Sequence, residues 1–232
     1  MTEPTDSAAG RPARASYWTR RLARNAAIAI ASGAFCLAVF AMARDKPTLP
    51  FRWSMATGYT SVVLIGLALV LGPWWISQGR RVPVSTDVRR DLGLWGAAYG
   101  LAHVATGLKV HMGGDMLNYF IYRPRDGSHP LPIRLDPFGI TNWTGLGATL
   151  LLLLLIVISN DRSLRALGTG RWKRLQQSTY VAAVLIGLHG LAFQLMDRRT
   201  PAFVAAFLVL GAVVLAFQTY GWRQVRATRK RV

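Results

Sequence analysis

Six apolar stretches, each long enough to cross a lipid bilayer, constrain the fold of this chain more than any other feature. Each approaches the roughly 20 residues that a helix needs to span about 30 Å of hydrocarbon. With 52% hydrophobic and 16% charged residues, the composition also indicates a membrane protein. We therefore predict an all-α integral membrane protein, a bundle of six transmembrane helices. The predicted spans are 25–43, 58–77, 92–112, 141–159, 175–196 and 201–222.

The formal net charge of +18 is distributed in a way that indicates membrane topology and not nucleic-acid binding. If the amino terminus is cytoplasmic, 19 of the 28 Lys and Arg residues fall at the two termini and in the second and fourth loops, which share that side. Cytoplasmic loops of membrane proteins carry such an excess, and the same residues are attracted to anionic membrane lipid. We therefore predict a multi-pass protein of the inner membrane with both termini in the cytoplasm and no nucleic-acid partner.

The sequence also predicts the boundaries of the transmembrane domain and the position of the third loop. Residues 1–24 are predicted to be a disordered basic tail, 25–222 the six-helix transmembrane domain, and 223–232 a basic cytoplasmic tail. The start resembles a signal peptide, but its apolar run is too long for a signal core, so the first helix is expected to be retained. No internal repeat is visible. The aromatic segment 116–122 is expected to lie at the outer interface.

Two histidines lie deep inside the predicted spans, away from the span ends, where ionisable residues are rare and usually functional. His103 lies 13 residues beyond Arg90 and His189 lies 15 residues beyond Arg174, which corresponds to about 20 Å and about 22 Å of helical rise from the cytoplasmic end. The two imidazoles are therefore level, in the outer half of the bilayer. Either histidine alone could simply hydrogen-bond a neighbouring helix, whereas two at one depth suit the axial ligands of one haem.

Glycines recur on the His103 side of the third span. They follow one another at helical spacing and so share one face of the helix. The missing side chains leave a groove that would take a flat porphyrin, and equally a closely packed helix. Gly93 begins the series, and the candidate haem groove is formed by Gly96, Gly100 and Gly107.

Other metal sites fit this pattern less well. Two histidines without a third ligand make a poor zinc site, and a proton relay would call for acidic residues inside the spans. The single cysteine, Cys36, excludes an intrachain disulfide, a cysteine zinc cluster and the attachment motif of a c-type haem. Iron in a porphyrin needs only two axial ligands, and bis-imidazole ligation favours electron transfer. His111 and His129 are expected to be interfacial or loop residues.

The stretches RRDLGLWGAAYGLAH (89–103) and RWKRLQQSTYVAAVLIGLHGLAF (171–193), with a weaker match at LDPFGITNWTGL (135–146), resemble one known family. It is the ferric reductase-like transmembrane domain family, and especially its MsrQ branch of haem-binding membrane subunits. The resemblance implies a b-type cytochrome that passes electrons from a cytoplasmic flavin or flavin reductase to an acceptor on the outer face.

The resemblance also bears on the number of haems. His103 and His189 fall on the family's histidine positions, but an earlier family histidine is replaced by Gln176. Because glutamine cannot serve as an ordinary haem ligand, we predict one haem b near the outer face.

A single outer haem leaves room for an FMN or quinone near the cytoplasmic loops. The candidate residues for this inner site are Arg89, Arg90, Trp172, Arg174 and Gln176. The basic members have an alternative role as topology anchors that contact lipid phosphate. The acceptor is open between ferric iron and a periplasmic reductase, and the alternative function is a haem-free membrane anchor or transporter accessory bundle.

Overall fold

Helices account for nearly all of residues 11–80, 87–122 and 132–229, which the computed structural model describes. Two 3₁₀ turns, Met112–Gly114 and Met116–Tyr119, follow the third helix. The helices are α1 (Arg11–Met42), α2 (Leu49–Ser77), α3 (Asp87–Gly107), α4 (Pro137–Ile158), α5 (Asp161–Gln176), α6 (Ser178–Met196) and α7 (Pro201–Arg229).

Local sequence signals set the first residues of α2 and α4, the two helices that support the site described below. Thr48 caps α2 by accepting a hydrogen bond from the backbone N–H of Phe51, and Asp136 caps α4 by accepting one from Gly139. Each cap is followed by a proline in the first helical turn, where the missing N–H costs nothing. The entry points of α2 and α4 are therefore fixed by the same type of motif.

Five segments of the described chain are long and apolar enough to cross a membrane, namely α1, α2, α4, α7 and the continuous stretch Asp161–Met196 that contains α5 and α6. The prediction of an all-helical, multi-pass membrane protein is confirmed. The remaining predicted span, 92–112, is helical as α3 up to Gly107, but α3 is not among the five. Its first turn and a half holds two aspartates and two arginines, which lower its hydropathy.

The predicted domain boundaries need correction at both flanks. Residues 11–24 are not a disordered tail, because α1 already begins at Arg11. At the other end, α7 continues to Arg229, through most of the predicted basic tail. The fourth loop is also helical, as α5, with a break at Gly168, whose φ of 71° lies in the left-handed region that favours glycine.

A buried ion pair ties α1 to α3. Asp91 of α3 is only 2% exposed; Nε of Arg24 on α1 donates to its carboxylate at 2.8 Å, and Nη2 of the same arginine lies 2.6 Å from it as an ion pair. Asn25 adds a hydrogen bond to Asp91 at 3.1 Å and accepts one from Trp95. A buried carboxylate requires such partners, so α1 is held against α3 at this end of the bundle.

The bundle is organised as two helix pairs that face each other. α2, the most buried of the five spans, packs along α3, and α4 packs along α6; α1 and α7 lie against α2. Ser61 of α2 donates a hydrogen bond to the carbonyl of Gly96 at 2.8 Å, and a buried cluster that includes Ile65, Ala97 and Leu152 joins the two pairs. Next to this cluster the pairs separate and leave a cavity.

Candidate functional site

The two histidines of the predicted spans lie next to each other in the structure. His103 on α3 and His189 on α6 have ring centroids 6.1 Å apart, with their planes at 83° to each other. Each ring belongs to a different helix pair. The level placement expected from the sequence is therefore accompanied by direct proximity.

Each imidazole is held by a main-chain carbonyl of its partner helix. Nδ1 of His103 lies 2.8 Å from the carbonyl oxygen of Ser54 on α2, and Nδ1 of His189 lies 2.8 Å from that of Thr141 on α4. Because a carbonyl oxygen only accepts hydrogen bonds, Nδ1 must carry the proton in both rings. Nε2 is then left with its lone pair, which is the form of histidine that binds a metal.

Each ring also occupies space that a glycine leaves open. A Cβ at Gly58 on α2 would lie 2.9 Å from Nδ1 of His103, and a Cβ at Gly145 on α4 would lie 2.7 Å from Nδ1 of His189. Side-chain atoms essentially never approach this closely. Only glycine at these two positions lets the imidazoles approach the neighbouring helix this closely.

A cavity of about 250 Å³ opens beside the two rings. Its walls are mainly apolar, as is usual for a cofactor site, and they come from both helix pairs. Among the glycines of the predicted haem groove, Gly100 and Gly107 line the cavity. Gly96 instead lies against α2, where a Cβ would approach Ile65 to 2.8 Å.

The separation of the two rings fits a single shared metal ion. With about 2 Å per metal–nitrogen bond, two imidazoles on opposite sides of one metal place their ring centroids about 6 Å apart. The observed value is 6.1 Å. Apolar walls and two imidazoles whose Nε2 atoms are not used in a hydrogen bond within the described residues are what an iron porphyrin requires of its protein, so the residues present fit haem.

At the end near the turn between α6 and α7, the cavity is lined by polar and aromatic side chains that sequence reasoning left without a role. His111 stacks on Phe193 at 6.1 Å, and its Nε2 lies 3.7 Å from Oδ1 of Asp197. Arg199 donates to Oδ2 of the same carboxylate at 2.8 Å. The expected interfacial histidine thus lines the same cavity as the pair; His129 lies outside the described residues.

Tyr119 closes this end of the cavity. It is 2% exposed, accepts a hydrogen bond from the backbone N–H of His111 at 2.7 Å and donates to the carbonyl of Gly107 at 3.0 Å. Burial raises the pKa of its hydroxyl, so the donor is kept at neutral pH. The aromatic segment predicted at the outer interface therefore covers the site, with Phe120 also lining the cavity.

The five side chains predicted for an inner flavin or quinone site are not among those that line this cavity. Four of them have partners in neighbouring helices, and Arg174 is exposed. The partners are the Ala68 carbonyl for Arg89, the Asp161 carboxylate for Arg90, the Ile158 carbonyl for Trp172 and the Ser159 hydroxyl for Gln176. The structure brings Arg90, Trp172 and Gln176 to the junction of α4 and α5.

Apolar helices that enclose a cavity beside a pair of histidines define a class: a multi-pass membrane protein with a candidate cofactor site between its helices. The MsrQ heme-binding subunit of protein-methionine-sulfoxide reductase from Deinococcus radiodurans is 32% identical over 160 residues, which cover 69% of this chain and 70% of the relative. The chain belongs to the MsrQ family, an inner-membrane family of oxidoreductase subunits, and the resemblance found from its sequence is confirmed.

Two further relatives extend the comparison. The MsrQ subunit of Klebsiella pneumoniae is 26% identical over 172 residues, 73% of this chain and 77% of the relative. The magnetosome protein MamZ of Magnetospirillum gryphiswaldense is 29% identical over 200 residues, and the chain spans only 28% of its length. No protein-family model and no solved structure matches the chain.

Proposed function

We propose that this protein is a transmembrane b-type cytochrome in which His103 and His189 are the axial ligands of one haem. Electrons from a donor on the cytoplasmic side would pass through this haem to an acceptor on the outer face. The family relationship supports a membrane redox role, since the MsrQ relatives are named as heme-binding subunits of a reductase.

The observation that carries the proposal is the matched setting of the two imidazoles. Both rings have Nδ1 tied to a carbonyl at 2.8 Å, so both present Nε2, and their 6.1 Å centroid separation suits one metal. A haem bound there would supply one-electron chemistry with a saturated iron. The chain itself would orient the ligands, fix their tautomer and exclude water with apolar walls.

We further propose that α3 completes a set of six spans, with α5 lying along the inner surface. The basic residues at both termini support a cytoplasmic location of these ends, by the positive-inside rule. Several exposed basic side chains on α5 then face the cytoplasm, namely Arg171, Lys173 and Arg174. They would attract an acidic flavoprotein donor or anionic lipid.

We place the electron donor at the inner end of the bundle and the electron acceptor at its outer end. A flavin or quinone at the junction of Arg90, Trp172 and Gln176 would shorten the path from the cytoplasm to His103. On the outer side, His111 and Phe193 extend from His189 towards the surface, with ring centroids 5.0 Å and 6.1 Å apart in turn. By analogy with its named relatives, the acceptor is a periplasmic reductase, with ferric iron as the second candidate.

The test is a visible spectrum of the protein purified in mild detergent after haem-replete expression. We expect sharp low-spin b-type bands after reduction with dithionite, and a pyridine haemochrome assay should give one haem per chain. The absence of these bands would leave the haem-free anchor as the better description. Two haems per chain would show that Gln176 does not mark a lost site.

A further inference from the structure

Arg199 is a buried cation beside the proposed haem site that the ligand pair does not explain. It lies in the turn between α6 and α7, where its backbone N–H donates to the carbonyl of Gln194 at 3.1 Å. Its side chain is 11% exposed and lines the same cavity as His103 and His189. The guanidinium lies over the ring of Phe51 at 4.8 Å, so one of its faces is closed.

The hydrogen-bonding capacity of this guanidinium is incompletely used. Nη2 donates to Asp197 at 2.8 Å, whereas Nη1 is buried and has no hydrogen-bond partner within the described residues. Asp197 also faces His111 at 3.7 Å. Because a buried cation with an unmet donor is costly, the arrangement calls for an acceptor from a bound molecule.

We propose that Arg199 binds the propionate carboxylates of the haem and so directs that edge of the porphyrin towards the outer end of the cavity. The inference rests on the proposed function. Guanidinium groups bind carboxylates through parallel N–H donors. Asp197 acts as a positioning residue, because it accepts the hydrogen bond from one of the two terminal nitrogens of the guanidinium.

The spacing along α6 agrees with this role. His189 lies seven residues before the end of α6 at Met196, which corresponds to about 10 Å of rise. Arg199 comes three residues after this end, so we expect its guanidinium to lie beyond the histidine on the outer side. A carboxylate attached to the porphyrin edge lies at a comparable distance from the iron.

The test compares two forms of the cofactor on one protein. Haem-free chain, prepared under haem-limited expression, is titrated in detergent with ferric protoporphyrin IX and with its dimethyl ester, and the Soret absorbance gives each Kd. We expect the wild-type chain to bind the free acid about tenfold or more tightly than the ester. R199Q should lose this preference, R199K should keep part of it, and R198Q, which removes the exposed neighbouring arginine, should retain it fully.

Three other outcomes would count against the inference or against the proposed function. Equal binding of acid and ester by the wild-type chain would overturn the inference and leave haem binding intact; it is also the result expected if a lipid phosphate occupies Arg199. An equal loss of both forms in R199Q would assign Arg199 a purely structural role and overturn it as well. Failure of the wild-type chain to bind either form would reject the proposed function itself.

Discussion

The two histidine sites are built from the same parts on different helices. On α2, the carbonyl of Ser54 holds His103 and Gly58 follows one helical turn later; on α4, the carbonyl of Thr141 holds His189 and Gly145 follows at the same spacing. The shared parts are a main-chain acceptor and an open position. These are the features that fix an imidazole and free its Nε2.

What differs between the two sites is the support around them. The Ser54 hydroxyl also approaches Nδ1 of His103 at 3.2 Å, whereas the Thr141 hydroxyl donates to the carbonyl of Pro137 at 2.7 Å. The α2–α3 pair is further tied to α1 through Asp91. We infer that the carbonyl and the glycine are essential to each site, and that the hydroxyl and the tether only reinforce the His103 side.

The largest effect is expected from removing either ligand. His103→Ala and His189→Ala should each abolish the low-spin haem spectrum, since one imidazole cannot occupy both axial positions. His129→Ala, in the third loop, serves as the control and should leave the spectrum unchanged. If one of the two ligand variants keeps the low-spin bands, the two sites are not equivalent.

The next effect tests the open positions. Gly58→Ala and Gly145→Ala should each lower haem affinity roughly tenfold, because the added methyl overlaps an imidazole and forces it to move. Gly187→Ala is the matched control on α6, where a Cβ would meet no atom within 4 Å. The haem content per chain after purification measures the loss of affinity. A loss confined to one of the two variants would show that the two histidine sites are not equivalent.

A smaller effect tests the tether that only the His103 side has. Asp91→Ala should lower stability by about 2 kcal/mol, since it leaves the partly exposed Arg24 without its buried partner. The low-spin spectrum at 25 °C should persist, while the thermal midpoint in detergent falls by several degrees. Asp45→Ala, at a carboxylate that is 53% exposed, should change neither. Loss of the spectrum in the Asp91 variant would mean that the tether is part of the site.

The smallest effect is expected from removing the side-chain hydroxyls of Ser54 and Thr141 while keeping their main-chain carbonyls. Ser54→Ala removes a contact with His103 but keeps the carbonyl, so haem affinity should fall by fivefold or less, in line with a hydrogen bond worth about 1 kcal/mol. Thr141→Ala should have no measurable effect on affinity, because its hydroxyl does not reach His189. A larger loss in Thr141→Ala than in Ser54→Ala would reverse the assignment of support.

The sequence alone predicts the histidine pair well, because ionisable residues stand out in apolar spans and helical rise fixes their depth. It predicts the supporting sites poorly, since the acceptors are main-chain carbonyls that any residue possesses. One signal does exist: SMATG (54–58) and TNWTG (141–145) form a short repeat of a hydroxyl residue, threonine and glycine that is too brief to be visible as an internal repeat.

Other parts of the structure escape sequence reasoning for different reasons. The α5 helix is too polar to register as a span, and the glycines around 168 favour a turn. Arg199 stands in a short polar loop where the sequence gives it the look of an ordinary surface residue, and its burial against Phe51 beside the cavity is visible only in the structure. Helical spacing puts Gly96 and Gly100 on one face of α3, yet Gly96 packs against α2 and Gly100 lines the cavity. The sequence cannot distinguish the two roles, because both require glycine.

The low hydropathy of α3 has a consequence for how the chain enters the membrane. A helix that carries Arg89 and Asp91 in its first turns and a histidine near its end is costly to insert alone. Its polar groups find partners on helices made earlier: the Ala68 and Ser54 carbonyls of α2 and the side chain of Arg24 on α1. If α3 is a span, as proposed, we expect the first three helices to insert together, so that His103 would be paired with α2 before α6 is synthesised.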